Sequence, residues 1–210
     1  MGKTTFNGPV RSENGFQEIS KDTSTGAITV VSGDKMAVEA AAGAGIEGTA
    51  AVYVTQVERL KSDVSTNVNI VKTSIMIDLT GLASGGSVGD IIGANAAGVA
   101  YIGQVTTANQ GVVLGTTMEC FETPAGGNPD IDLYSATENT GVEDTLISAL
   151  DETLIINGGA VAAGTRVANE TGAATIAADQ YLYLVSGSAT GATFTAGRLL
   201  ITILGYDVAS

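Results

Sequence analysis

The chain has 210 residues, enough for one substantial domain, and its 44% apolar content can fill a core, yet charged residues reach only 15% against about a quarter in ordinary soluble domains. Nine Lys and Arg stand against 22 Asp and Glu, a net charge of −13, which argues against direct binding to nucleic acid or to anionic membrane surfaces, where basic side chains supply the attraction. There is no histidine, so the commonest general base and metal ligand is missing, and the single cysteine, Cys120, has no intrachain disulfide partner and no imidazole to activate it.

The opening "MGKTTFNGPVRSENGF" has no apolar h-region, so no signal peptide is predicted, and Phe6 stands where a myristoylation signal needs Ser or Thr. No apolar run approaches the roughly 20 residues of a membrane helix. Residues 1–26 are polar and include the turn-forming steps Asn7-Gly8 and Asn14-Gly15, so they are predicted to form an extended N-terminal arm. Ordering such an arm costs about 1–2 kcal/mol per residue, so it becomes fixed only where it lies on another surface. Its few anchoring side chains, Phe6, Pro9, Val10, Arg11 and Phe16, are candidate partner contacts. Residues 27–210 are predicted to be a single β-sandwich domain without an internal linker.

Strand signals dominate that domain. In "VNIVKTSIMIDL" the apolar residues Val71, Ile75, Ile77 and Leu79 alternate with Lys72, Ser74 and Asp78, and Thr73 sits on the apolar side. The glycine-studded "GDIIGANAAGVAYIGQV", Gly89 to Val105, raises the possibility of a phosphate loop. It has no lysine of the Walker type, and its Gly93, Asn95 and Gly98 are followed by a strand rather than by a helix whose N-terminus would hold the phosphate. It reads instead as two short strands joined by Gly and Asn residues that tolerate positive φ. In "GVVLGTTMECF" alternation places Val112, Leu114, Met118 and Cys120 on one face and Thr117 and Glu119 on the other.

The acidic run "NPDIDLYSATENTGVED" places Asp130 and Asp132 on one side of a strand, ahead of Glu138, Glu143 and Asp144. The spacing departs from the calcium-loop pattern, and a glycosidase pair would lack the tryptophans on which sugars stack, so neither a metal nor a catalytic role is assigned. "EDTLISALDETL" holds Leu146, Ile147, Leu150 and Leu154 at helical spacing, predicting one short helix or turn. The last two runs, "QYLYLVSG" and "GRLLITILGYDV", are apolar on both faces, as for a strand central in a sandwich or covered by a neighbouring subunit. Tyr181, Tyr183, Phe194 and Tyr206 cluster there and serve either a core or an interface. The scarce cations Arg11, Arg166 and Arg198 serve either intrachain ion pairs or pairs across a subunit boundary. The expected fold is all-β, a jelly-roll-like sandwich with an extended arm, and the candidate interface residues of the domain are Tyr181, Tyr183, Arg198 and Tyr206.

Taken together, "TFNGPVRSENGF", "GDIIGANAAGVAYIGQV", "DIDLYSATENTGVED" and "DQYLYLVSGSATGATFTAGRLLITILGYD" resemble a family of virion structural proteins from marine tailed bacteriophages. The likeness covers most of the chain and is weakest from Met36 to Ala51. The resemblance implies a non-enzymatic particle component without cofactor: a head decoration, or cement, protein assembled in the host cytoplasm onto the capsid surface. Its partners would be the major capsid protein and sister copies, a homotrimer at threefold positions, with no nucleic acid and no membrane. The alternatives are a tail or receptor-binding virion protein, a metal-dependent hydrolase using the acidic run, and a major capsid protein, the last disfavoured by the scarcity of helix.

Overall fold

The computed structural model describes residues 18–21, 28–32, 42–46, 51–60, 68–95, 98–169 and 175–208. The chain divides into two units, Met1–Met36 and Ala37–Ser210. In the first unit β1 (Glu18–Lys21) pairs antiparallel with β2 (Ile28–Ser32). The expected boundary between residues 26 and 27 therefore falls between two paired strands, and Glu18–Lys21 is hairpin rather than extended arm. The Ser, Thr and Gly residues of "DTSTG" between the two runs are the turn signal that an arm reading passes over.

The second unit is antiparallel β-structure with very little helix. Its elements in chain order are β3 (Ala51–Leu60), β4 (Val68–Asp78), the short β5 (Leu82–Ala83), β6 (Gly93–Ala94) and β7 (Gly103–Gln104), and a four-residue helix α1 (Thr107–Gln110). There follow β8 (Val112–Ala125), β9 (Ile131–Ala136), β10 (Glu152–Ile156), β11 (Arg166–Ala168), β12 (Tyr181–Ser186) and β13 (Ala196–Val208). Five strands pair in the order β11-β8-β13-β4-β3 and four in the order β10-β9-β12-β7, while β5 and β6 pair with each other. The expected all-β class is what the chain adopts. The helix expected near Leu146 is one 3-10 turn, Ile147–Ala149, and Leu154 lies beyond it in β10.

The inner face of the five-stranded sheet follows the predicted alternation on β4: Val71, Thr73, Ile75 and Ile77 are buried, continuing to Leu79, and Lys72 is exposed. From β13 come Leu199, Ile201 and Ile203, and from β8 Met118 and Cys120, all in one core cluster with Leu133, Leu182 and Leu184 of the four-stranded sheet. The Cys120 thiol donates to the Glu122 carbonyl at 3.1 Å, and burial pushes its pKa up, as for a small core residue rather than a nucleophile.

Strand β12 is dry on both faces because the chain covers it itself. On one face lie Leu182 and Leu184. On the other is Tyr183, fully buried, against which Tyr101 packs edge-on with ring centroids 6.5 Å apart. A side chain at Gly141 would meet Tyr183, Ile91 and Leu150, so the loops carrying those residues close over this face.

The glycine-studded stretch is part of the same arrangement. Gly89, Ile92 and Ile102 donate backbone N–H bonds to Ser186, Leu184 and Leu182, which lays the stretch along the free edge of β12. Its two strand pieces do not form one hairpin: β6 pairs with β5, and β7 with β12. Its glycines permit close backbone approach. Gly98 has φ +103°, and a Cβ on Gly45 would stand 2.7 Å from the Gly98 carbonyl oxygen.

Candidate interaction face

The outer face of the five-stranded sheet is where the chain departs most from its overall composition. Antiparallel partners share a face, so register defines it row by row. One row runs through Glu122, Arg198 and Asp78, the next through Arg166, Glu119, Leu200 and Met76. Below these come Thr117, Thr202 and Ser74, then Gly115, Leu204 and Lys72, then Val112, Tyr206 and Ile70. None of the side chains in these rows is buried, in contrast to the inner face.

Three register shifts interrupt the β13–β8 ladder, and two of them turn apolar side chains out onto this face. Register shifts between Leu204 and Gly205, which pair with Gly115 and Val113, so Leu114 is the extra residue. The phase of β8 reverses there: Val113 packs on the core, while Val112 and Leu114 are 53% and 52% exposed. The expectation that Val112 and Leu114 share the core face with Met118 and Cys120 is thus corrected by one inserted residue. A second shift, between Arg198 and Leu199, leaves Phe121 unpaired and 51% exposed. Leu204 on β13 is 40% exposed.

The charges of this face come close to balancing. Its cations are Lys72, Arg166 and Arg198, and after Lys61 the sequence holds no others. Its acids are Asp78, Glu119, Glu122 and, in the row of Ile70 and Tyr206, Glu58 of β3. The Arg198 Nε lies 3.4 Å from Asp78 and 3.5 Å from Glu122. Asp78 is held below the usual carboxylate range first by Thr80, whose hydroxyl and N–H both donate to it, and then by Arg198. These exposed pairs contribute little to stability, under about 1 kcal/mol each, but they neutralise the surface. Between Leu79 and Thr195, outside the five-stranded sheet, the described residues carry nine carboxylates and no cation.

The domain residues expected at an interface separate into two groups. Arg198 and Tyr206 lie on this outer face, half-buried or exposed. Tyr183 does not. It is 0% exposed, its hydroxyl donates to the Glu138 carbonyl at 2.8 Å and accepts the Gly141 N–H at 3.3 Å, and burial pushes its pKa up to about 12. Tyr181 is half-buried and packs edge-on against Tyr101 at 5.0 Å. Both tyrosines pack in the layer over β12, and Tyr183 presents no free contact surface, a correction for that residue whose cause is that the covering loops come from the same chain. Phe6, Pro9, Val10, Arg11 and Phe16 lie outside the described residues. The residues missed by sequence reasoning are Val112, Leu114, Phe121 and Leu204, because alternation assigns the first two inward and only the bulges turn them out.

The acidic run does not converge on a ligand. Asp132 is buried, its Oδ1 accepts the Gly158 N–H at 2.9 Å, and burial raises its pKa, with the nearby Asp130 charge adding to the effect. Glu138 accepts the Asp151 N–H at 2.9 Å, which holds its pKa below the usual range. Among the described residues no group of three or more His, Cys, Asp or Glu is placed to hold a metal ion. A slot of about 170 Å³ lies between the edge strands β10 and β11, lined by Leu154–Asn157 and Val167–Asn169, and no titratable group lines it. No described helix is long and apolar enough to cross a membrane.

No protein-family model, no curated protein and no solved structure matches the chain.

Proposed function

We propose that the chain is a structural component of a bacteriophage virion, a head decoration (cement) protein that binds the major capsid protein and stabilises the assembled shell. In this reading it performs no catalysis, and its two main sheets form a jelly-roll-like sandwich. The observation that carries the reading is the division of charge: a nearly neutral, partly apolar sheet face on a chain whose remaining described surface is acidic. The nearly neutral face suits contact with protein, and the acidic remainder keeps the molecule from adhering to DNA or to anionic host surfaces. The four sequence phrases shared in style with phage virion proteins support the same reading.

A cement protein works by linkage. It binds the assembled lattice and not the free subunits, so occupancy shifts the equilibrium toward the intact shell. An extended segment adds contact area and valency to a folded module. Residues 1–17, which precede β1, are assigned that role, with Phe6, Pro9, Val10, Arg11 and Phe16 as the anchors, and localisation is the outer surface of the head. The test is deletion of residues 1–17, which leaves the β1–β2 pair in place. The truncated chain is expected to keep its circular-dichroism spectrum and lose binding to purified capsids; decoration at full occupancy without these residues overturns the assignment.

A further inference from the structure

The geometry points to a second copy of this chain as the occupant of the outer face of the five-stranded sheet, packed face to face about a two-fold axis. This rests on the reading of that sheet as an interaction face, but not on where the protein sits in a particle.

Three observations carry it. The first is exposure: Val112, Leu114 and Leu204 are 53%, 52% and 40% exposed at one end of the face, while the inner face of the same strands is buried. The second is charge. An approach of two copies through the acidic surface built by the described residues between Leu79 and Thr195 outside that sheet brings carboxylates together with no cation of those residues to offset them. The outer sheet carries Lys72, Arg166 and Arg198 against Asp78, Glu119, Glu122 and Glu58, so two copies that meet there set opposite charges beside each other and leave little net repulsion. A patch that holds both signs interleaved can be complementary to itself, which is the requirement of an isologous contact. A head-to-tail contact would instead set this nearly neutral face on an all-acid surface and gain no attraction. The third is area. Four strands of about eleven residues and the three-residue β11, at about 4.8 Å spacing and about 3.4 Å rise, give a footprint of roughly 770 Å². A stable dimer buries about 800 Å² per partner. Aligned packing of two such faces is the ordinary sheet-on-sheet arrangement, with the hydroxyl row Thr117, Thr202 and Ser74 at its centre.

A face that is complementary to itself closes on a two-fold, so the assembly it builds is a dimer in place of the trimer that the phage resemblance implies. The experiment is sedimentation equilibrium of the full chain over a range of concentrations, with two variants. The wild type is expected at twice its 21.0 kDa mass. Leu204→Lys is expected to weaken the dimer at least tenfold, and Val112→Lys serves as a second probe of the face should Leu204→Lys not fold. Leu146→Lys, at a residue 45% exposed on the acidic side, is expected to leave the dimer intact. A monomer at all concentrations, a trimer, a dimer indifferent to both sheet variants, or a dimer broken by Leu146→Lys overturns the inference. Failure to bind capsids leaves this mass measurement untouched, so the two readings fail separately.

Discussion

The two main sheets use similar residues to opposite ends. Strand β12 of the four-stranded sheet is buried on both faces, and the loops that cover it come from the same chain, which makes it interior structure. Strand β13 of the five-stranded sheet is equally apolar in sequence, yet only its inner residues Leu199, Ile201 and Ile203 are buried, while Leu200, Thr202 and Leu204 look outward. Two-sided apolarity therefore means internal cover in one strand and an open face in the other. What separates them is cover: the segments around Ile91, Tyr101 and Gly141 pack over Tyr183 of β12, whereas Leu204 on the outer face of β13 is 40% exposed beside a row of ion pairs at Arg198.

Substitutions that test this contrast fall in a definite order. Tyr183→Ala removes a fully buried ring and is expected to cost about 3–5 kcal/mol by chemical denaturation. Tyr183→Phe, which keeps the ring and leaves the Gly141 N–H without its acceptor, is expected to cost about 1–2 kcal/mol, and equal losses for the two variants would contradict the packing role of the ring. Gly158→Ala places a methyl group against the Ile131 carbonyl and 2.6 Å from the Met118 Cε, with an expected loss of about 1–3 kcal/mol; a neutral result would show that the seam between the sheets is loose. On the open face, Leu204→Lys is expected to change monomer stability by less than about 0.5–1 kcal/mol, and a loss as large as that of Tyr183→Ala would mean that the face is covered within the chain.

The smallest effect is read through pH. Asp132 has its pKa raised by burial, so its contribution is favourable below its unfolded-state pKa and is lost as pH rises through the higher folded-state value. Asp78 is shifted the other way, so its contribution is present above its unfolded-state pKa and disappears as pH falls through the lower folded-state value. Asp132→Asn is expected to raise the melting temperature near neutral pH and to have little effect in acid, where the wild-type carboxyl is protonated. Asp78→Asn is expected to lower the melting temperature near neutral pH and to have little effect in acid. Thermal melts across the acid range check both signs.

Much of the fold was legible because period-two alternation reports burial directly. On β4, Val71, Thr73, Ile75 and Ile77 take the predicted inward places with Leu79 next. The glycine run was legible as backbone punctuation because the residues a phosphate needs are absent from it. The open face was not legible, for a local reason: each bulge on β8 inserts one residue, and alternation carried through Leu114 and Phe121 assigns the wrong phase on the far side. The pairing of Glu18–Lys21 was hidden by its polar composition, and the burial of Tyr183 by covering loops far from it in sequence. The near balance of charge on one face is likewise invisible until β4, β8, β11 and β13 are set side by side, because Lys72, Arg166 and Arg198 are far apart in the chain.

The central claim is that this protein acts in a phage particle through protein contacts alone, as a repeated part of the shell. Quantitative mass spectrometry of purified particles carrying the chain tests it most directly. The account predicts copies in the hundreds, scaling with the capsid lattice; absence from the particle, or roughly a dozen copies or fewer as at a tail or portal, would contradict it.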